Sequence, residues 1–191
     1  MIVFVLRVHY PKNIMNTYIQ PHPNNWILVV GPRSIRLTMI ICIVRLAERG
    51  PVRVLDSGLQ FDGYLISNLL RGRANMREQI SLSRTSTCRQ VLDWFEKADA
   101  LPAPYVMLDF LHPFYNSSIS FEERCRLLRC CIWHLDRLSQ VAGEVISVHP
   151  PEIPTPEADQ LLSIMKSSTQ SVWVQRLPFP FPRPEPYRSL N

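Results

Sequence analysis

Lysine is scarce in this chain, and the excess of positive charge is small. Of the 21 basic side chains only three are lysines, at positions 12, 97 and 166, so arginine carries most of the positive charge. The planar guanidinium group binds two oxygens at once, which suits phosphate recognition. A net charge of +5 over 191 residues is nevertheless mild. It indicates a basic surface rather than a dedicated nucleic-acid-binding protein.

Several chemical signatures are also missing. The five cysteines include no C-x-x-C pair and the five histidines no H-x-x-x-H pair, so neither a disulfide framework nor an intrinsic metal site is predicted. The pattern of free cysteines predicts a reducing, cytoplasmic location. No G-x-S-x-G nucleophile elbow is present. No run of about 18 apolar residues without a charge occurs, which argues against a spanning helix.

The two ends of the chain differ from its middle. The N-terminal stretch MIVFVLRVHYPKN lacks the basic region and cleavage site of a signal peptide. Two interpretations stay open: it is an edge strand, or the start is assigned too early and the native product begins at Met15. Near the other end, proline occupies every second position from Pro178 to Pro186, which predicts an extended, polyproline-like tail. We expect an N-terminal extension at 1–23, a domain at 24–176 and the tail at 177–191.

Apolar segments alternate with helical patterns in the predicted domain. The helices are expected at about 34–49, 63–71, 87–98, 120–139 and 156–166, with N-caps at Asp62, at Thr85 or Ser86, and at Ser120. Apolar strands separated by helices predict a parallel sheet covered on both faces, which is an α/β fold. The predicted strands are Trp26–Val30, Val52–Leu55, Ile80–Ser83, Tyr105–Asp109, Val145–Val148 and Ser171–Gln175.

The stretch WILVVGPRSIRLT, from Trp26 to Thr38, has the layout of a phosphate-binding loop: a strand, a glycine and a helix. That loop requires G-x-x-x-x-G-K-[ST]. The first and last positions are filled, but an arginine and Leu37 replace the second glycine and the lysine. The arginines of the loop offer guanidinium contacts to an anion instead, with solvated side chains as the alternative. The candidate nucleotide-binding residues are Gly31, Arg33, Ser34, Arg36 and Thr38.

The order of these pieces resembles the core of RecA-type recombinase ATPases over about residues 24–175. Besides the loop, the resemblance rests on VRVLDSGLQFDGYLISNLL, ISLSRTSTCRQVL, YVMLDFLHPFY and the long amphipathic helix that leads to VISVHPP. It implies a three-layer RecA-like P-loop fold, with a mainly parallel sheet and helices on both faces. It also implies a degenerate Walker A motif, since the lysine is replaced.

The resemblance assigns roles to three polar residues at strand ends. Asp109 ends the Walker B-like strand and would hold Mg²⁺ through water. Asp56 ends the second strand, and the family's catalytic glutamate should follow it closely, where this chain has Ser57-Gly58-Leu59. His149 follows the fifth strand at the place of a polar phosphate-sensing residue. A purely structural role is the open alternative for each of the three.

Two groups that phosphoryl transfer needs are thus replaced, the lysine and the glutamate, and losing one such group typically costs orders of magnitude in rate. We expect a catalytically inactive RecA-like domain that acts by binding a protein partner or a second copy. The family context adds DNA repair or recombination, with DNA as a further partner. The candidate phosphate contacts are Arg71, Arg73, Arg77, Arg84 and Arg89, for which a solvated, charge-balanced surface is the alternative.

Two other functions stay open. In the first, the chain is an ATPase with a remodelled phosphate-binding loop, in which Arg33 or Arg36 replaces the lysine. ATP with Mg²⁺ would then bind weakly. In the second it is an adaptor whose proline-rich tail occupies an aromatic groove of a partner. No cofactor is otherwise predicted, and no membrane partner is expected.

Overall fold

Seven parallel strands form one sheet in the computed structural model of the chain, which describes residues 2–6, 19, 21–71, 73–169 and 171–175. Their order is β1-β7-β2-β6-β5-β3-β4, and the N-terminal strand β1 lies at one edge, paired with β7. The strands are β1 (Ile2–Leu6), β2 (Trp26–Val30), β3 (Val52–Asp56), β4 (Ile80–Arg84), β5 (Tyr105–Leu108), β6 (Glu144–Val148) and β7 (Ser171–Gln175).

Helices connect the strands and begin mostly at side-chain caps. Asp62, Ser120 and Thr155 each accept a backbone N–H from the residue three positions on. The cap predicted at Thr85 or Ser86 is wrong: Thr87 caps that helix, because the Thr85 hydroxyl instead bonds the side chain of Ser57. The helices are α1 (Ile35–Ala47), α2 (Gly63–Leu69), α3 (Ala74–Arg77), α4 (Cys88–Lys97), α5 (Phe121–Ser139) and α6 (Pro156–Ser168), with a 3₁₀ turn at His112–Tyr115.

The two faces of the sheet carry separate cores. Alternate residues of β2 point to opposite faces: Ile27 and Val29 pack with α1 and α2, whereas Leu28 and Val30 pack with α4, α5 and α6. Both sets of strand residues are buried. This pattern is typical of parallel strands covered on both faces, and it confirms the predicted α/β class.

The side on which each helix packs follows from the strand order. The connections from β2 to β3 and from β3 to β4 run toward one edge of the sheet, and their helices α1 and α2 lie on one face. The later connections run the opposite way, and α4, α5 and α6 lie on the other face. The chain therefore leaves the neighbouring strands β2 and β6 toward opposite faces. Such a reversal opens a crevice at the carboxyl ends of the strands.

Sequence and structure agree closely on the element bounds. The strands β2 and β7 match their predicted bounds, and β5 ends at Leu108, one residue before the predicted end.

The tail predicted at 177–191 lies outside the described residues. No helix in the described ranges is both long enough and apolar enough to cross a bilayer.

Candidate functional site

A cleft of about 780 Å³ opens at the carboxyl ends of β2, β5 and β6. It lies at the point where the strand order reverses, the usual place for ligands in open α/β sheets. Three segments line it. They are the start of the β2–α1 turn at Pro32 and Arg33, the segment after β5 from Asp109 to Asn116, and the segment 149–153 after β6.

Asp109 is the most constrained residue of the cleft. It is buried, and its φ of 51° places it in the left-handed region, which is uncommon for residues other than glycine. Its backbone N–H donates to the Ser147 hydroxyl at 3.0 Å, and its Oδ1 accepts the His149 N–H at 3.2 Å. A Cβ on Gly58 would overlap its carboxylate, so the β3–α2 loop also packs against it. Neighbours on two sides therefore fix the Asp109 carboxylate.

Two histidines flank the same carboxylate. The Nδ1 of buried His149 lies 3.1 Å from Asp109 Oδ1, and the Nδ1 of exposed His112 lies 3.7 Å from Oδ2. These distances allow ion pairs when the imidazoles are protonated. Neither ring nitrogen of His149 has a hydrogen-bond partner among the described residues. The carboxylate thus faces imidazoles within the chain.

Tyr115 brings a further polar atom to the cleft. Its hydroxyl is buried without a hydrogen-bond partner in the described part of the chain. Burial raises the pKa of this hydroxyl, and the charges of Asp109 and Asp159 raise it further. It is therefore a neutral donor at physiological pH.

The β2–α1 turn keeps most of its donors within the fold. The N–H groups of Gly31, Ile35 and Arg36 donate to backbone carbonyls at 3.2, 2.9 and 3.2 Å, and Pro32 has no N–H. No residue from 31 to 38 has a positive φ. Backbone nests that hold anions alternate right- and left-handed residues, so this turn does not have the shape of such a nest. Ser34 stands at the N-cap, and its side chain makes no capping bond.

Arg36 points away from the cleft, toward the β3–α2 loop. Its Nε donates to Gln60 O at 2.8 Å, and its Nη2 donates to Asp62 Oδ2 at 2.8 Å. Leu37 is partly exposed in the first turn of α1, and Thr38 is half-buried one residue on. Arg36, which stands at the second glycine position of the motif, thus holds the β3–α2 loop against α1.

Asp56 also bonds the β3–α2 loop. It is fully buried, and its two oxygens accept the N–H groups of Gln60 at 2.8 Å and Phe61 at 3.1 Å. Arg84 lies 3.7 Å from Oδ2, with more than half of its side chain exposed. Both carboxylate oxygens are committed within the chain, which fixes the path of the loop after β3.

The structure brings three of the predicted site residues into the cleft: Arg33, Asp109 and His149. Arg33 is mostly exposed and lies 3.8 Å from Glu152 across the mouth. The cleft is also lined by His112, Tyr115 and Glu152, which no sequence pattern singled out. One signal for the first two was available, since both lie within the Walker B-like segment YVMLDFLHPFY.

Four of the five candidate DNA-contacting arginines, all but Arg71, contact groups within the chain. Arg73 pairs with Glu48 and Arg89 with Glu123, Arg77 donates to a backbone carbonyl, and Arg84 lies beside Asp56. In the described ranges no group of three or more histidine, cysteine or acidic side chains is arranged to hold a metal ion.

Comparison with known proteins identifies the fold. No model of a known protein family matches the chain, and no curated protein does. Among solved structures it is similar to the flagellar accessory protein FlaH from Methanocaldococcus jannaschii. The TM-score is 0.52 and the identity 15%, covering 85% of this chain and 74% of that one. This likeness, with the parallel sheet covered on both faces, shows a RecA-like fold, as predicted. At 15% identity it bears on the fold alone.

Proposed function

We propose that this RecA-like domain does not hydrolyse nucleoside triphosphates and acts as a scaffold that binds another protein surface. The β2–α1 turn is the observation that carries the proposal. A phosphate-binding loop needs free N–H groups that converge on the phosphate, and a lysine for the β- and γ-phosphates. Here three N–H groups bond within the fold, and Leu37 occupies the lysine position.

The acidic side chains support the same proposal. Hydrolysis needs a carboxylate that positions the attacking water and another that holds the metal ion. The segment after β3 has no carboxylate before Asp62, which pairs with Arg36. Asp56 is committed to two backbone N–H groups, and Asp109 faces His149. Asp56, Asp62 and Asp109 thus each have a partner within the chain, which for Asp109 is the backbone N–H of His149.

We expect the purified protein to release no phosphate from Mg-ATP above background. Calorimetry with Mg-ATP should detect no binding at micromolar concentrations, and the Asp109→Ala variant should give the same result. The reason is that the fold supplies neither converging N–H donors nor a lysine for the triphosphate. Turnover that requires Mg²⁺ and is lost in Asp109→Ala would overturn the proposal.

The ATPase alternative draws support from the position of the cleft. Arg33 and Asp109 line a cavity of about 780 Å³ at the switch point of the sheet. If Arg33 replaces the lysine, Arg33→Ala should abolish micromolar binding of Mg-ATP. Our proposal expects the wild type and this variant to be indistinguishable.

We do not extend the proposal to DNA repair or recombination, because the candidate DNA-contacting arginines largely have partners within the chain. The adaptor role of the tail stays a prediction, since residues 177–191 lie outside the described residues. Deletion of residues 178–191 with retention of every pulled-down partner would contradict that role.

A further inference from the structure

A second cavity, of about 120 Å³, lies between the strands β3 and β4 and the helix α4. It shares no residue with the cleft at the carboxyl ends of β2, β5 and β6. We call it the α4 cavity, and it is lined by Arg53, Val54, Ser81, Ser83, Trp94, Lys97 and Ala98. Pockets for drug-sized molecules are at least about twice as large, so the α4 cavity has room for a small group only.

The polar side chains of the α4 cavity are mostly hydrogen-bond donors. Alternate residues of a strand point to the same face of the sheet, which brings the hydroxyls of Ser81 and Ser83 to the cavity from β4. Arg53 stands on β3, directly opposite Ser81 in the register, and Lys97 comes from the last turn of α4. Among the described residues, no acidic side chain lines the cavity. Two cations and two hydroxyls without a carboxylate favour an anion.

The charges of the α4 cavity are not neutralised within the described ranges, where neither Arg53 nor Lys97 forms an ion pair. The guanidinium carbon of Arg53 lies 5.9 Å from the centre of the Tyr105 ring, and the Tyr105 hydroxyl donates to Asp99 O. An aromatic ring positions a guanidinium group without cancelling its charge. The half-buried Arg53 is therefore held in place and still attracts an anion.

The serine hydroxyls are equally available. Neither Ser81 nor Ser83 has a side-chain hydrogen bond in the part of the chain that the structure describes. By contrast, Ser57 and Ser147, which also lie at or just after strands, bond other groups of the fold through their hydroxyls. The hydroxyls of β4 are thus free to donate to a ligand.

We propose that the α4 cavity binds one doubly charged phosphate group, either inorganic phosphate or the phosphate monoester of a phosphorylated side chain. A phosphate monoester carries a charge of about −1.5 to −2 at pH 7 and offers three strong acceptor oxygens. This charge matches the two cations, and Arg53 is able to bind two of the oxygens at once. A phosphodiester of a nucleic acid carries a single charge and is substituted on two sides, so it matches the cavity less well.

The affinity expected is modest, because Lys97 and Ser81 are exposed and water weakens their attraction for an anion. Lys97 also lies at the carboxyl end of α4, where the helix dipole is negative. We expect a dissociation constant of about 0.1–1 mM. The inference goes beyond the proposed function and does not depend on it, since the two concern different parts of the molecule.

NMR spectroscopy of the full chain tests the site, by titration with inorganic phosphate and with O-phosphoserine at pH 8 and constant ionic strength. The backbone amide resonances of Ser81, Ser83 and Lys97 and the indole resonance of Trp94 should shift and reach saturation. Lys97→Ala should weaken binding of both ligands at least about tenfold, because it removes one of two cations. Lys166→Ala is the matched control, since it removes a lysine from the last turn of α6 and should leave binding unchanged.

Arg53→Met removes the other cation and keeps an aliphatic side chain for packing, so it should weaken binding by a similar factor. If this variant fails to fold, Lys97→Ala decides alone. The absence of saturable shifts with both ligands would overturn the inference, as would shifts that persist in Lys97→Ala or an equal loss in Lys166→Ala.

The two ligands separate the two sources of the phosphate group. Tighter binding of O-phosphoserine would support a phosphorylated side chain as the ligand, and equal or tighter binding of inorganic phosphate would support a free anion. A single-stranded oligonucleotide without terminal phosphates serves as a third ligand. If it shifts these resonances and neither monoanionic substitution nor charge explains binding of the two phosphates, because they do not bind, the cavity is a nucleic-acid site and the inference is wrong.

Discussion

Replacing Asp56 with alanine is expected to lower the free energy of unfolding by about 3 kcal/mol. The fully buried carboxylate accepts two backbone N–H groups, from Gln60 and Phe61, and the substitution leaves both donors without that partner. A donor left unsatisfied costs about 1–3 kcal/mol, and bonds to a charged acceptor lie at the upper end of the usual range. Denaturant unfolding, followed by far-UV circular dichroism, measures the change.

Two control variants separate this role from a general effect of the site. Asp56→Asn keeps one acceptor oxygen and should cost about half as much. Arg84→Ala should cost less than about 0.5 kcal/mol, because the arginine is mostly exposed at 3.7 Å from the carboxylate. If Asp56→Ala costs no more than Arg84→Ala, the carboxylate does not hold the β3–α2 loop.

Arg36 illustrates how far the sequence could predict the site. Its place after a strand and a glycine predicted a position at the N-terminus of a helix, and Arg36 lies in the first turn of α1. The pattern left open whether it binds an anion or lies in solvent. The structure gives a third outcome, since the guanidinium bonds Gln60 and Asp62, 24 and 26 residues away along the chain. Local patterns do not encode such distant partners.

The fold could be predicted further than the site, for a physical reason. Strand β2 is buried at every position, and a continuous apolar run with a helix after it specifies a covered parallel strand. Such signals depend on burial, which a continuous apolar run in the sequence indicates directly. The positions of His112 and Tyr115 depend instead on a short 3₁₀ turn that brings them back over the end of β5. No periodicity marks a turn of four residues.

The loop after β3 links the fold to the proposed function. Where RecA-type ATPases, which this chain resembles in fold, carry a water-positioning glutamate, this chain has Ser57-Gly58-Leu59. The surrounding polar residues Asp56 and Arg36 bond the backbone of the loop rather than a ligand. The loop is thus held within the fold and carries no carboxylate from residue 57 to residue 61 that could position a water, as the proposed lack of hydrolysis requires.

Glu144 should make the stability of the protein fall as the pH rises. It is fully buried at the start of β6, between Trp26 of β2 and Tyr105 of β5, and neither carboxyl oxygen has a partner among the described residues. Burial raises its pKa well above the usual value; the charge of Asp136 adds to this, and Arg137 opposes it. The folded protein therefore keeps a proton that the unfolded chain releases above its pKa of about 4.3.

From about pH 4.3 upward, the free energy of unfolding should decrease by up to about 1.4 kcal/mol per pH unit, until the pH passes the folded pKa. In Glu144→Gln the side chain is neutral in both states, so this decrease should disappear and the variant should be the more stable form at pH 8. Denaturant unfolding from pH 5 to pH 8 measures both profiles. Glu152→Gln, with its exposed carboxylate, serves as the control and should follow the wild type. Parallel profiles for the wild type and Glu144→Gln would mean that the buried carboxyl group ionises without cost, in contradiction to its surroundings.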